Sequence, residues 1–531
     1  MKRFFYLVFA LGVLFFVACK SAKKSDPKPI KPTDTTTSVL DKIKDSIFYY
    51  AKEDYLWYSQ LPTYATFNPR SFTGADTLTA LNNEVNALSQ YAINPNSNPS
   101  RPYEYYSDDP GVAKYSFIDA GAVSSELNGI HGDFGFAPFY NTVTDLRVKY
   151  VYPGSPADQA GIKRGYQITS INGRTSLDYD GPQYGNSSNL NFIINAYSNS
   201  NTISMTLTKP DGSTLNVPSM SVSDYTINPV LKDSIYIVKD PNTGQPTHKV
   251  GYIVFNSFTS GANAYPQLDP VFANFASQGI TDLVVDLRYN GGGYVSTAEH
   301  IDNLIVPAAK SGSLMYNTYY NDILTNGHEV LLSKQWRKDP QTGMDYNYGP
   351  QFISYAVADN ATNFAKLGSL NVNRVFFIIT GSTASASELT INNLRPHMDV
   401  QFIGETSYGK PVGFFDIDIN KYEMYIPEFY TQNSAGQGGY YDGFTPGTAD
   451  YPGYNGQDDV TKDFGDPTEG LLAHALNYVK TGTYAVKGQS IQSLQSQQGM
   501  LSMATRATAA HKMDKHKFTG MVFDNIKKKR R

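Results

Sequence analysis

The chain has 531 residues, of which 17% are charged, and its formal net charge at pH 7 is −4. This near-neutral balance argues against a nucleic-acid-binding protein and against attachment to anionic lipid through basic charge. The length fits about three domains. The single cysteine, Cys19, excludes an internal disulfide.

Residues 1–19 have the pattern of a secretory signal: a basic end, an apolar stretch too short to favour a stable membrane span, and Ala18 before Cys19. The pattern resembles a bacterial lipobox, with Phe16 where leucine is usual. The resemblance implies a lipidated Cys19 and an exported protein anchored in the bacterial cell envelope, facing the periplasm or on the outer-membrane surface. A plain signal peptide or an uncleaved anchor is the alternative. Residues 20–38, rich in Lys, Ser, Pro and Thr, predict a flexible tether.

Residues 39–113 predict a small helical module. Apolar residues recur there at helical spacing, and they include Leu40, Ile43, Ile47, Phe48, Leu81, Val85 and Leu88. The aromatic group at 55–58 is interpreted as core because such side chains bury a large area, and a grip on a ligand is the alternative.

Residues 114–226 alternate short strands with turns. The segment VKYVYPGSPADQAGIKRGYQITSINGR resembles a PDZ domain in the permuted arrangement of bacterial proteases. The resemblance implies that a loop of Phe134, Gly135 and Phe136 takes a peptide's terminal carboxylate while the peptide adds as a strand. A lid or spacer role stays open, because Pro138 falls where a binding strand would need a donor.

A catalytic core is predicted for 227–482. Strand 250–255, helix 268–276 and the strand DLVVDL (282–287), which is apolar enough to be buried on both faces, indicate a parallel strand–helix–strand unit. The strand leads into Arg-Tyr-Asn-Gly-Gly-Gly, ending at Gly293. Three glycines can turn the backbone sharply and present bare amides to a developing oxyanion, although a tight turn is the default interpretation.

A second apolar strand, 375–379, turns into a helix at Ser385. A hydroxyl at a strand-to-helix turn projects beside helix N-terminal amides, where nucleophiles are often found. Ser385 and Glu388 also form a capping-box pattern, which is common and catalytically silent. The helix stops at Pro396, and the next strand delivers GETSYGK, which ends at Lys410.

The motif TASASE, the lysine of GETSYGK 25 residues after Ser385, and DLRYNGGG together resemble the S41 peptidases, the C-terminal processing or tail-specific proteases. The resemblance implies that Ser385 is the nucleophile and Lys410 its general base. It implies an oxyanion hole made by the amide of Gly292 or Gly293, with Gly293 favoured, together with the amide of Ala386. It also implies the fold class: an α/β (α+β multidomain) protein whose S41 core has ClpP/crotonase-like ββα units, with an N-terminal helical module and a PDZ-like β domain. The segment KEDYLWYSQLP resembles the N-terminal helical region of S41 relatives from Bacteroidetes-type bacteria.

A lysine can act as the base when burial lowers its pKa toward the working pH. His300 and His397 are rival bases. His397 is expected about 15 Å from Ser385, at the far end of the helix, and His300, on a helix after the glycine loop, is more typical of a surface or packing residue. Lys410 is therefore preferred.

The family places Gln or Glu four residues after the lysine to orient it, and here that residue is Phe414. Asp416, Asp418 or Glu405 could substitute, or packing alone could hold the lysine. No cofactor or metal is predicted, because no HExxH motif occurs and His and carboxylates do not cluster at ligand spacing.

Residues 483–531 are polar and increasingly basic, which predicts a disordered tail, with contact to nucleic acid or anionic lipid as the alternative. The expected function is a serine endopeptidase that cleaves polypeptides, with recognition through their C-termini as one option. No nucleic-acid partner is expected, and the oligomeric state is left open. The alternative is an inactive S41-fold lipoprotein that binds peptides or other ligands, because this fold also occurs in interphotoreceptor retinoid-binding proteins.

Overall fold

The computed structural model describes residues 38–181, 185–240, 243–339, 342–486, 501–514, 518–524 and 528–529. The predicted signal, the lipidation site at Cys19 and the tether up to residue 37 lie outside these residues. Within the described ranges, no helix combines the length and apolar character needed to cross a membrane.

The N-terminal module is helical and begins at a capping box. The Ser38 hydroxyl accepts from the Asp41 amide at 3.0 Å, and the Asp41 carboxylate accepts from the Ser38 amide at 3.3 Å. Tyr55, from the aromatic group, is buried and donates to Glu104 at 2.6 Å, as expected of a core residue. The elements are α1 (Val39–Asp54), α2 (Tyr64–Phe67), α3 (Thr77–Ser89), β1 (Ile93–Asn94) and β2 (Arg101–Pro102).

The next module is built on a five-stranded antiparallel sheet of order β5-β6-β7-β8-β9. Its inward side chains form a separate core with α6, and apolar residues alternate with polar ones most clearly in β6 and β8. The elements are β3 (Phe117–Asp119), α4 (Ala122–Leu127), β4 (Ile130–Asp133), β5 (Phe136–Thr142), β6 (Asp145–Val151), α5 (Pro156–Gln159), β7 (Gln167–Ile171), α6 (Ser188–Ser198), β8 (Thr202–Thr208), β9 (Thr214–Ser221) and β10 (Ser223–Thr226).

The central module contains a six-stranded sheet of order β11-β12-β13-β19-β20-β25, in which β12 to β25 run parallel. Helices cover both faces, which explains why the middle of β13 and all of β19 after its first residue are apolar. The elements as far as the second apolar strand are β11 (Val230–Lys239), β12 (Pro246–Phe255), α7 (Gly261–Ser277), β13 (Asp282–Asp286), β14 (Gly292–Tyr294), α8 (Val295–Ile305), β15 (Leu314–Tyr320), α9 (Asp322–Thr325), β16 (Trp336–Lys338), β17 (Asp345–Asn347), β18 (Ala361–Asn363) and β19 (Arg374–Ile379).

The second half of the central module carries the turn at Ser385 and the segment after Lys410. Short strands from this half form a further sheet of order β18-β15-β24-β21 beside the main one. The elements are α10 (Ala386–Leu394), β20 (Asp399–Gly404), β21 (Val412–Gly413), β22 (Ile417–Ile419), β23 (Tyr422–Tyr425), β24 (Phe429–Asn433), β25 (Gly453–Asn455) and α11 (Gly470–Thr481).

The C-terminal region contains two more elements, α12 (Met503–Met513) and β26 (Gly520–Val522). The prediction of a disordered tail over 483–531 is therefore wrong for residues 501–514 and 518–524. Those ranges bury apolar side chains, and burial compensates the entropy of ordering them. The buried residues include Leu501, Met513, Phe518, Met521 and Phe523. They are spaced within a polar, basic stretch, so average composition concealed them.

Candidate functional site

Ser385 lies at a strained turn between β19 and α10. Its backbone has φ 57° and ψ −104°, a left-handed conformation that a residue with a side chain adopts at a cost. Such strain is characteristic of a nucleophile held at a sharp strand-to-helix turn. The side chain is fully buried, and its hydroxyl donates to the Val412 carbonyl at 3.5 Å.

Glu388 ties the Ser385 turn to the segment that carries Lys410. Its carboxylate accepts from the amides of Ser385 at 2.9 Å, Gly409 at 2.7 Å and Lys410 at 2.8 Å, and from the Ser407 hydroxyl at 2.6 Å. Burial raises the pKa of Glu388, and these donors act in the opposite direction. Sequence reasoning placed Glu388 only in a capping box and missed this second role, because its partners are about twenty residues away.

The Lys410 amine is fully buried, and desolvation lowers its pKa well below 10.5. The nearby carboxylates of Glu104 and Glu388 oppose that shift without cancelling it. The amine donates to the Thr519 carbonyl at 2.7 Å and to the Tyr115 carbonyl at 3.4 Å. In the part of the chain that is described, the lysine and the serine each bond to a carbonyl rather than to each other.

Phe414 takes the place of the expected orienting carboxamide or carboxylate. The Lys410 nitrogen lies 3.9 Å from the centre of its ring. This contact holds the neutral amine by packing, and cation–π attraction is added only when the amine is protonated. The suggested substitutes lie elsewhere: Asp416 and Asp418 pair with Arg337. Glu405, whose pKa burial raises to about 7, is beside Arg506 and Asp458.

The glycine loop lies against the Ser385 turn, and Asn290 joins the two. The Asn290 carbonyl accepts from the Ala384 amide at 3.0 Å and from the Ser387 hydroxyl at 3.0 Å, and its side-chain oxygen accepts from the Gly292 amide at 2.9 Å. The Gly292 amide therefore already has a partner within the loop. The oxyanion role of Gly292 or Gly293 stays a prediction.

Gly293 and Ala386 lie at the junction of the glycine loop and the N-terminus of α10. Gly293 has φ 141°, and a Cβ there would lie 2.1 Å from the Phe258 carbonyl oxygen, so only glycine fits. Ala386 is the first residue of α10, so its amide has no partner inside the helix. A Cβ at Gly292 would lie 3.1 Å from the Ala386 nitrogen, which shows how close the loop and the helix N-terminus are.

The rival histidines lie away from this site. His300 stacks on Tyr265, with 3.7 Å between ring centres, and bonds to Asp269 at 2.6 Å. His397 bonds to the Leu314 carbonyl at 3.1 Å. Over the described ranges, no group of three or more His, Cys, Asp or Glu side chains is arranged to hold a metal ion.

A cavity of about 830 Å³ opens beside the buried pair. Lys114, from the strand-poor segment before β3, donates to the Gly409 carbonyl at 3.2 Å, and burial lowers its pKa to about 8. Sequence reasoning did not identify this residue, because nothing in its local pattern distinguishes it. The cavity walls include Lys114, Tyr115, Gly291, Ser382, Tyr408 and Thr519.

The predicted carboxylate-binding loop of the PDZ-like module is closed on itself. The Asp133 carboxylate accepts from the Gly135 amide at 2.7 Å. Phe134 and Phe136 are buried in the core of the module. Helix α12 contacts β5 and α6, where a peptide would add to the sheet. Peptide binding at this loop stays a prediction, and it would require α12 to leave.

Comparison with known proteins gives two family matches. The model of peptidase family S41 matches residues 249–440, and a PDZ domain model matches residues 147–184. Two similar relatives are carboxyl-terminal-processing proteases. The one from Picosynechococcus sp. is 25% identical over 289 residues, which are 54% of this chain and 56% of the relative. The one from Synechocystis sp. is 23% identical over 291 residues, which are 54% of each. The chain spans about half the length of these relatives.

A crystal structure described as that of an S41 protease from Bacteroides fragilis matches with a TM-score of 0.50 and 23% identity, covering 82% of this chain and 97% of that one. This likeness shows a shared fold. Together with the two family matches, it confirms the predicted fold class, an α/β multidomain protein with a PDZ domain.

Proposed function

We propose that this chain, whose residues 249–440 match the model of peptidase family S41, is a serine endopeptidase in which Ser385 is the nucleophile and Lys410 the general base. One observation carries the proposal: a strained serine and a fully buried lysine are held in one frame by the carboxylate of Glu388. A purely structural capping box would require neither the strain nor a lysine buried at this cost.

In the proposed reaction, neutral Lys410 accepts the hydroxyl proton as Ser385 Oγ attacks the carbonyl carbon of a peptide bond. The amides of Gly293 and Ala386 hold the negative oxygen of the tetrahedral intermediate. As the C–N bond breaks, the protonated lysine gives its proton to the leaving amine. Water, deprotonated by the same lysine, then hydrolyses the acyl-enzyme. The depressed pKa of Lys410 supports this role, because a protonated amine could not accept the first proton.

The remaining expectations are part of the same proposal. The substrate class is polypeptide, with the PDZ domain binding or gating it, and the protein is anchored in the cell envelope through a lipid on Cys19. A catalytically inactive binding protein is the competing function, and the phenylalanine at 414 is the observation that favours it.

The test is labelling of the full chain with a fluorophosphonate, together with digestion of an unfolded polypeptide. Ser385→Ala and Lys410→Ala should each abolish both reactions with secondary structure unchanged. Ser382→Ala is the matched control, because it removes a hydroxyl from the same turn at the cavity wall, and its activity should equal that of the wild type. Labelling that survives in Ser385→Ala would rule out the nucleophile. A wild type that neither labels nor cleaves would favour the binding protein.

A further inference from the structure

The C-terminal segment 518–524 lies inside the groove between the glycine loop and the strand after Lys410. On one edge, β26 pairs in parallel with β14, and the Gly520 amide donates to the Gly291 carbonyl at 2.9 Å. On the other edge, the Phe414 amide donates to the Met521 carbonyl at 2.9 Å, and the Phe523 amide donates to the Phe414 carbonyl at 3.0 Å. The segment therefore completes a sheet whose neighbours are the two walls of the candidate site.

Two carbonyls of this segment meet the proposed catalytic groups. The Thr519 carbonyl accepts from the Lys410 amine at 2.7 Å. The parallel register pairs Gly292 with Gly520, which turns the Gly520 carbonyl toward the amide of Gly293. A Cβ on Gly292 would lie 2.1 Å from that carbonyl oxygen and 3.1 Å from the Ala386 nitrogen. The Gly520 carbonyl is thus close to both proposed oxyanion donors.

The side chains of the segment alternate between two apolar walls, as in any extended strand. Phe518 and Val522 pack in a cluster with Phe414 and Tyr425. Met521 and Phe523 face the main core, and the Phe523 ring centre is 4.6 Å from that of Phe429. Gly520, opposite the reacting groups, has no side chain. The groove therefore favours apolar side chains around a small residue at the reacting carbonyl.

The same C-terminal region fills the groove of the PDZ domain. Leu501, Ala509 and Met513 are buried among the side chains of its sheet and α6. Just after α12, the Asp514 carboxylate pairs with the fully buried amine of Lys149 on β6. One stretch of chain thus occupies first the PDZ groove and then the catalytic groove, the two places where a polypeptide substrate would bind.

We infer that residues 501–514 and 518–524 act as an intramolecular ligand that closes this enzyme, and that substrates bind by displacing the strand 518–524 and pairing with the same two walls. The inference rests on the proposed function for the identity of the groove. Its consequence is visible in burial: with the segment in place, Ser385 and Lys410 have no solvent exposure, so another chain reaches them only while the segment is displaced. It also names the substrate class, an extended peptide with a small residue followed by apolar ones.

The experiment uses the full chain carrying Ser385→Ala, which separates binding from cleavage. The probe is a fluorescein-labelled peptide of sequence FTGMVFD, residues 518–524, and binding is measured by fluorescence anisotropy. Two variants open the groove by different means. Met521→Asp puts a charge at a fully buried position, and Gly520→Pro removes the amide that donates to Gly291. Each should bind the peptide about tenfold tighter or more than the parent, because a closed groove lowers the apparent affinity by the open fraction.

Ser502→Asp is the matched control. It adds a negative charge to the same region at an exposed helix N-cap, a position that aspartate fills as well as serine, and its affinity for the peptide should equal that of the parent. Equal binding by the parent and both groove variants, or no binding by any of them, would overturn the inference and make the segment a fixed part of the core.

Restoring Ser385 distinguishes this inference from the proposed function. If the opened variants bind the peptide tightly yet cleave no polypeptide, the proposed function fails and the intramolecular ligand stands. If the wild type cleaves polypeptides and the variants neither bind tighter nor cleave faster, the inference fails and the proposed function stands.

Discussion

Two loops in this protein have the same local design and differ by one glycine. In the PDZ domain, the Asp133 side chain accepts from the amide of Gly135, two residues later, at 2.7 Å. In the catalytic groove, the Asn290 side chain accepts from the amide of Gly292, also two residues later, at 2.9 Å. The second loop continues to Gly293, whose amide is left for a carbonyl in the groove. Under the proposed function, this additional amide is what allows the second loop to bind an oxyanion.

The largest effect on activity is expected when one glycine of these loops is replaced by alanine. In Gly293→Ala, the Cβ would lie 2.1 Å from the Phe258 carbonyl oxygen, and the loop would have to move its amide. Loss of one oxyanion donor lowers kcat by about 10²- to 10³-fold. In Gly135→Ala, the Cβ would lie 2.0 Å from Ser155 Cβ, an equal clash in the other loop.

Gly135→Ala should lower the thermal midpoint and leave the fluorophosphonate labelling rate of Ser385 unchanged, because the PDZ loop does not contact the reacting groups. The measurement is the labelling rate of both variants beside their thermal unfolding. Equal loss of labelling in the two would mean that the clash acts through the fold and not through the oxyanion hole.

Glu388 gives a second comparison, because its carboxylate accepts hydrogen bonds from backbone amides without blocking the groove. Glu388→Gln keeps the shape but cannot accept from all four donors that meet the carboxylate. We expect kcat to fall about 10²-fold with KM nearly unchanged, since misplacing catalytic groups by a fraction of an ångström has effects of that size. Glu405→Gln, at another buried carboxyl group that does not bond to the pair, should retain its activity.

Burial of Lys410 lowers the free energy of unfolding of the protein, and the PDZ loop has no comparable cost. The folded protein lowers the pKa of this amine, so the unfolded chain binds more protons, and stability rises with pH up to the usual value of 10.5. Below the folded pKa the full cost is present. Lys410→Met removes it, so the inactive variant should unfold about 2 °C or more above the wild type at pH 7.

The unfolding temperatures of the wild type and Lys410→Met should converge as the pH approaches 10.5. Wild-type activity should rise with pH, and the midpoint of that rise should lie below 10.5. Calorimetry across this pH range checks the first expectation, and initial cleavage rates check the second. A destabilised Lys410→Met at pH 7 would show that the amine is held by favourable contacts and not at a cost.

The smallest effect is expected from Asp133→Ala, which releases the Gly135 amide. The cleavage rate should remain within about twofold of the wild type, because α12 still covers the peptide groove. If the variant instead gained affinity for peptides with a free C-terminus, the carboxylate of Asp133 would be the only block, and the PDZ loop would match the catalytic loop more closely than the structure indicates. Isothermal titration with such a peptide decides between these outcomes.

The sequence alone determined the elements whose signals are local. Apolar runs ending in glycine or serine predicted β13, β19 and the two turns, because a strand buried on both faces must be apolar and a sharp turn requires glycine. Periodicity predicted the N-terminal helices, and the motifs around Ser385, Lys410 and Gly293 predicted the family. These residues lie within one groove, as their strands share a sheet edge.

Tertiary structure alone decided which groups meet across long separations. Glu388 bonds to Lys410 because β19 and β20 are neighbours, and the ring of Phe414 occupies the place expected for a polar partner. The ranges 501–514 and 518–524 were predicted to be solvated because their apolar residues are few and scattered. These apolar residues pack in grooves formed by residues much earlier in the chain. A local sequence pattern cannot indicate a groove that another part of the chain forms.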